Sequence, residues 1–464
     1  MGFGRWVFGK AAMAAGLSAV LAAGPAAGQS LTDALIAAYR NSNLLEQNRA
    51  VLRAADEDVA IAVATLRPVV NFIARATASS AVRDVGGINV RSNDISATLA
   101  LSADLTLYDF GRGQLAIDAA KQNVLAVRQA LVGVEQRVLL SAVAAFMDVR
   151  SAAETVNLRE ANVRLITQEL RAARDRFEVG EITRTDVAIA EARLAGARSN
   201  LAAAQGDLAV AREAYKAATG AYPGALRAPP GLPRIPRTLD EAKSVARTTH
   251  PSIRQAQFEV TAAEINVARA VAQRQGQISG SANLSVDRRG RDSSSLSLSY
   301  QRPVYTGGRQ SAQERQAAAR RDAARAGLHQ TAADVVQDVG RAWSDLAVAS
   351  ARIEASDRQI QAAQTAYDGV RQEAELGART TLDVLNAEQE LLDARAARIG
   401  ADTGRYVAVY RLLSSMGLLT VDHLRLGIPT YDPEAYFNAV RNAPRTRSVQ
   451  GDQLDRVLRS IGRE

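Results

Sequence analysis

The chain repeats itself once, over nearly half its length, and this repeat limits the possible folds more than any other feature. "LYDFGR" at Leu107–Arg112 and "VYTGGR" at Val304–Arg309 stand 197 residues apart. The same offset carries Gly180, Asp186 and Val187 onto Gly377, Asp383 and Val384, and Thr219–Gly220 onto Met416–Gly417. Nearer the start of each half the offset is 208, matching Leu31, Ala34, Leu45 and Ala54 to Leu239, Ala242, Ile253 and Ala262. The first half therefore carries 11 additional residues ahead of Leu107. A duplication of this size is one large supersecondary unit built twice, since solenoids repeat every ~20–50 residues.

Inside each half the hydrophobic period changes. Ile95, Ala97, Leu99, Leu101, Ala103, Leu105 and Leu107 alternate with Ser96, Thr98, Ser102, Asp104 and Thr106. Residues 277–287 alternate in the same way, and 69–79 and 294–304 do so more weakly. The pattern predicts four strands in two hairpins, with loops near 81–94 and 288–293. Strands of about 10 residues with one apolar and one polar face suit a lipid-facing β-barrel, and soluble hairpins packed on helices show the same alternation. Closure adds a constraint. A single-chain barrel needs about eight strands, and four would leave unpaired edges in lipid. If these strands span a membrane, several chains share one barrel.

The remaining pattern is helical. A helix is expected over 30–66, stopping ahead of Pro68, which disfavours helix at the residue before it. A long helix is expected over 112–178, with Val124, Val127, Leu131, Val134 and Val138 at alternating spacings of three and four, a coiled-coil seam. Another follows over 183–219. At 1.5 Å per residue the long helix reaches about 100 Å, and each shorter one about 55 Å. Two short helices end to end match one long one. The Pro/Gly-rich stretch 221–237 reads as the linker between a first repeat at 29–220 and a second at 238–417, whose tip lies at 375–386. Residues 418–464 are expected to form a C-terminal segment and tail.

Composition excludes several classes. Proline (12) and aromatic residues (5%) are sparse, which favours long helices. Arg5 and Lys10, an apolar run and the small residues Ala26, Ala27 and Gly28 have the order of a secretory signal peptide over 1–28. Without it, 55 basic residues face 49 acidic ones, interleaved along the chain, so no nucleic-acid patch is expected. The chain has no cysteine, hence neither a disulfide framework nor a lipidation cysteine. Beyond the signal, no run approaches the ~18 consecutive apolar residues of a membrane helix. His250, His329 and His423 lack metal-ligand spacing, and no nucleophile–base set stands out. No enzyme activity, cofactor or metal is expected.

Taken together, the signal, the two-fold order of helix, hairpin, long helix, tip and helix, the "VYTGGR" hairpin exit, and the tips "FEVGEITRTDV" and "AELGARTTLDVLNAEQ" resemble the TolC-like outer-membrane factor family over about residues 30–440. The end of the chain, "MGLLTVDHLRLGIPTYDPEAYFNAV", resembles the branch paired with type I secretion. The resemblance implies an α+β membrane protein in which a homotrimer shares one β-barrel in outer-membrane lipid, its helices form a periplasmic tunnel and the C-terminal segment within 418–464 is equatorial. It implies docking onto a periplasmic adaptor and an inner-membrane ABC or RND transporter, for type I secretion or multidrug efflux. A periplasmic coiled-coil adaptor and an envelope structural protein without a pore are the other readings.

Much of each tip is turn chemistry. Gly180 and Gly377 end one helix, and Thr183-x-x-Asp186 and Thr380-x-x-Asp383 open the next as capping boxes. Capping leaves Arg379 unexplained, and also Asn386, on the helical face of Asp383. By resemblance, Arg379 ties the closed periplasmic entrance to Thr185 and Asp186 of neighbours, and the positions of Asp383 and Asn386 carry aspartates that ring the constriction. Here the second aspartate is Asn386, and the tip tyrosine of the family is Ala374. The expectation is an Arg379 latch and an Asp383 ring that favours cations.

Overall fold

The computed structural model describes residues 28–444 and 448–460; of the expected signal segment only Gly28 falls among them. β1 (Val69–Val85), β2 (Ile88–Tyr108), β3 (Gln277–Asp287) and β4 (Asp292–Gln301) form one antiparallel sheet in that order. The two hairpins are joined where β2 pairs with β3, which places Leu101 opposite Leu284 and Ala103 opposite Ala282. Among the described residues β1 and β4 are open edges.

Register explains the alternation. Val70, Ala103, Ala282 and Leu296 form one row across the sheet, and Asn71, Ser102, Asn283 and Ser295 the next. Successive residues point to opposite faces, so one face is apolar and the other polar. The apolar face is exposed, with Phe72 at 72%, Leu298 at 73% and Leu296 at 86%. On the polar face hydroxyls pair across strands, as in Ser281–Ser297 at 2.6 Å.

The first hairpin is longer than the alternation predicts. In place of a loop near 81–94, pairing continues to Val85 opposite Ile88, closed by Gly86 (φ 67°) and Gly87 (φ 86°). Two successive positive-φ residues make the tight turn that matches strand twist, and glycine adopts it without strain. β4 runs 292–301 in place of 294–304, ending ahead of Pro303, which cannot donate to a ladder.

The helices are α1 (Leu31–Asn41), α2 (Asn43–Ala64), α3 (Arg112–Glu178), α4 (Arg184–Thr219), α5 (Leu239–Thr249), α6 (Pro251–Ala272), α7 (Arg309–Glu375), α8 (Thr381–Ser415), α9 (Pro433–Val440) and α10 (Val449–Ser460). The continuous helix expected over 30–66 is broken at Ser42, whose extended backbone (ψ 110°) starts a second helix and whose hydroxyl accepts from Leu45 N at 3.3 Å. His250 makes the equivalent break, with Pro251 in the first turn of α6.

α3 and α7 have 67 residues each, about 100 Å, and α4 and α8 about 55 Å. α2 and α4 lie along α3, α6 and α8 lie along α7, and α6 and α8 also touch α3. α3 contains a window apolar enough by composition to cross a membrane, but it packs among these helices instead. The largest core sits at the waist, where Phe146 of α3, Tyr215 of α4, Leu35 of α1, Val339 of α7 and Leu413 of α8 meet. Residues 418–428 close over this core, with Val421 N donating to Glu135 Oε1 at 2.7 Å. The chain then returns along α2 through α9, and Arg67, at the foot of the sheet, donates to the carbonyls of Asn442 and Ala443.

Candidate gate at the helical tips

Each long helix ends about 100 Å from the sheet in a turn that reverses the chain. After α3 the turn holds Gly180 at φ 80°, and Glu181 N closes back onto Arg176 O at 2.9 Å. After α7, Gly377 at φ 78° and the Ala378 N to Glu373 O bond at 2.9 Å repeat the motif. This six-to-one closure needs a left-handed residue, which the glycines supply.

The next helices open with complete capping boxes. Asp186 Oδ2 accepts from Thr183 N at 3.0 Å and from its hydroxyl at 2.7 Å, while Asp186 N donates to Thr183 Oγ1 at 3.3 Å. Thr380 and Asp383 repeat these bonds at 3.0, 2.9 and 3.2 Å. Donation from Thr183 and Thr380 holds both carboxyls below the usual carboxylate range. Both aspartates therefore carry charge at neutral pH.

Arg379 donates from Nε to Glu373 Oε2 at 2.8 Å, on its own tip. Thr185 is exposed on the other tip, and among the described residues no bond joins Arg379 to Thr185 or Asp186 of the same chain. Asn386, one turn beyond Asp383, accepts at Oδ1 from Arg193 Nη2 of α4 at 2.7 Å.

Deeper by half a turn, Glu388 is 4% exposed and accepts from Asn162 Nδ2 of α3 at 2.7 Å. Its second oxygen is buried, with no hydrogen-bond partner among the described residues. Burial is the main cause that pushes its carboxyl up to about 7; the Asn162 bond opposes this, Glu169 reinforces it and Arg193 opposes it. Apolar contacts frame the pair. Leu385 packs with Ile166, Leu170 and Leu194, and Val384 and Leu391 pack with Tyr367.

Four participants, Glu388, Asn162, Arg193 and Glu373, are absent from the sequence expectation. A signal for Glu388 exists: it stands between Leu385 and Leu392 at spacings of three and four, where a core-facing stripe calls for an apolar residue. Among the described residues no group of three His, Cys, Asp or Glu is arranged to hold a metal.

At the other end of the molecule, Tyr108, Phe110 and Tyr300 gather at the foot of the sheet. Ring centroids are 4.8 Å apart for Tyr108–Phe110 and 6.5 Å for Phe110–Tyr300. Aromatic residues at the border of an apolar strand band are the girdle of a membrane barrel.

Comparison with known proteins agrees with this architecture. The chain is 35% identical over 438 residues to the outer membrane efflux protein BepC of Brucella suis, covering 92% of this chain and 94% of that protein. It is 24% identical to the outer membrane protein TolC of Escherichia coli over 84% of this chain and 83% of TolC. Its fold superposes on the crystal structure of CusC with a TM-score of 0.74 at 20% identity, covering 84% of this chain and 92% of that one. Residues 35–221 and 243–418, the two repeats, both match one family description, and the chain belongs to the outer membrane efflux protein family.

Proposed function

We propose that three copies of this chain close a single twelve-stranded barrel in outer-membrane lipid, with the helices of the three forming a tunnel through the periplasm. The protein is an outer-membrane export channel, the exit duct of a tripartite system. The observation that carries the trimer is a four-stranded sheet, open at both edges, whose apolar face matches a bilayer. From Ile95 to Leu107 the apolar face of β2 covers about 30 Å along the axis of a barrel of ordinary tilt, the thickness of a hydrocarbon core. Edges cannot stay unpaired in lipid, so β1 of one copy pairs with β4 of the next. An adaptor or a poreless structural protein leaves this membrane-matched sheet unexplained.

The tips face the inner membrane, where a periplasmic adaptor and an ABC or RND transporter deliver cargo, secreted polypeptide or small molecules. At the entrance Arg379 latches onto Thr185 and Asp186 of a neighbouring copy. Its guanidinium has five donors, so the Glu373 bond leaves others for that contact. A threefold ring of Asp383, ionised by its cap, favours cations.

Reconstitution into planar bilayers tests this reading. The purified protein should give discrete conductance steps, and Arg379→Ser should enlarge them. No conductance would overturn the channel, and unchanged steps in the variant would overturn the latch.

A further inference from the structure

α8 is the helix that both coiled coils share at the tip. Leu385 enters the α3–α4 cluster while Val384 and Leu391 enter the α7 cluster, so α8 sits in the seam between them. Glu388 occupies the same seam, almost fully buried, with one hydrogen bond and one unpartnered carboxyl oxygen. A charged carboxylate so placed destabilises the packed seam, because one amide donor does not replace its lost hydration. A neutral carboxyl keeps the Asn162 bond without that cost.

The groups around it come from every packed helix. α3 presents Asn162 and Glu169, α4 presents Arg193, and α7 presents Tyr367, which is itself flanked by Asp368 and Arg371. Glu169 repels a second charge. Arg193 attracts it, but one of its terminal nitrogens is engaged by Asn386.

We propose that Glu388 is a proton-operated tie: with its carboxyl protonated, the Asn162–Glu388 contact holds the α7–α8 coiled coil against α3 and keeps the periplasmic entrance narrow, and loss of the proton loosens that seam. The inference rests on the tips being the entrance of the export channel. The direction with pH follows from linkage. A solvated carboxyl titrates near 4.5 and the buried one near 7, so the closed seam holds its proton more tightly between those values. The tie is at full strength below the lower value and is lost as pH rises through about 7. Across that window the open-to-closed ratio of each protomer rises by up to roughly 300-fold. Asp186 and Asp383 stay charged throughout it, because their caps hold them below the ordinary carboxylate range.

The test is single-channel conductance of the full-length protein in planar bilayers between pH 5 and pH 8. Conductance of the unmodified protein should rise with pH. Glu388→Gln, a neutral isostere that keeps the Asn162 bond, should stay at the low level throughout. Asn162→Asp, which sets a second carboxyl against the first, should steepen the rise. A flat profile in the unmodified protein, or the unmodified slope retained in Glu388→Gln, would overturn the tie. A second readout separates the tie from the channel reading. The chain lacks cysteine, so one spin label at exposed Ala378→Cys reports distances between tips. Those distances should widen from pH 5 to pH 8, and Glu388→Gln should abolish the change. Absence of conductance at every pH would count against the channel, whereas constant distances would count against the tie alone.

Discussion

Arg193 on α4 donates to Asn386 on α8 at 2.7 Å, so the residue that stands where a second acidic ring would lie is occupied within its own chain. Asn386→Asp turns this contact into an ion pair and, in the proposed trimer, would add three carboxylates near the proposed Asp383 ring. The expected outcome is stronger cation selectivity, read as a larger reversal potential in a salt gradient. An unchanged reversal potential would remove position 386 from the pore lining.

The capping box at the first tip has its own signature. Thr183→Ala removes an acceptor for Asp186 N and a donor to its carboxylate, at a cost of about 1 kcal/mol to the start of α4. Amide hydrogen exchange should quicken at the start of α4 and remain unchanged at the waist. Because Asp186 titrates below its ordinary value of 3.8, the protection is complete above that pH and is lost as pH falls through the lowered value. The contribution of the cap alone, read as the difference in exchange between Thr183→Ala and the unmodified protein, should therefore not change from pH 5 to pH 8.

Asp56 on α2 behaves in the opposite sense. It is fully buried, neither carboxyl oxygen has a hydrogen-bond partner among the described residues, and burial pushes it up to about 7 against the pull of Arg128. The folded state binds its proton more tightly than the unfolded chain, so stability falls as pH rises from about 4 through about 7. Asp56→Asn should raise the melting temperature in detergent at pH 8 and change it little at pH 4. A lower melting temperature at pH 8 would show that Asp56 is ionised and held by a favourable partner.

Gly276 sets the entry to the second hairpin. Its φ is +86°, and a Cβ there would stand 2.5 Å from Gln301 O and 3.0 Å from Arg302 Cα. Gly276→Ala should impair barrel assembly, seen as loss of the compact, heat-modifiable band on electrophoresis. Gly206→Ala, in the exposed middle of α4 with nothing within 4 Å of its Cβ, should leave assembly intact and stabilise the helix by about 0.5–1 kcal/mol.

Much of this architecture is legible in the sequence, and the gaps have identifiable physical causes. The strand residues 95–108 and 277–287 were readable because one of their faces meets lipid and must be apolar. The outer part of the first hairpin was not, because between Ser79 and Asp94 both faces carry polar residues and pairing leaves no periodic trace. Ser42 is a cap residue in the sequence, but apolar periodicity continues across it and masks the break. At the tips, capping predicted from Thr183, Asp186, Thr380 and Asp383 is present bond for bond. Glu388 was hidden for a different reason: glutamate is common on exposed helix faces, and Asn162, the partner that reveals its burial, lies 226 positions away.

The shared barrel is tested most directly by native mass spectrometry of the complex extracted from the outer membrane in detergent. Three copies of the chain, and therefore twelve strands, are expected. A complex of one or two copies would contradict it.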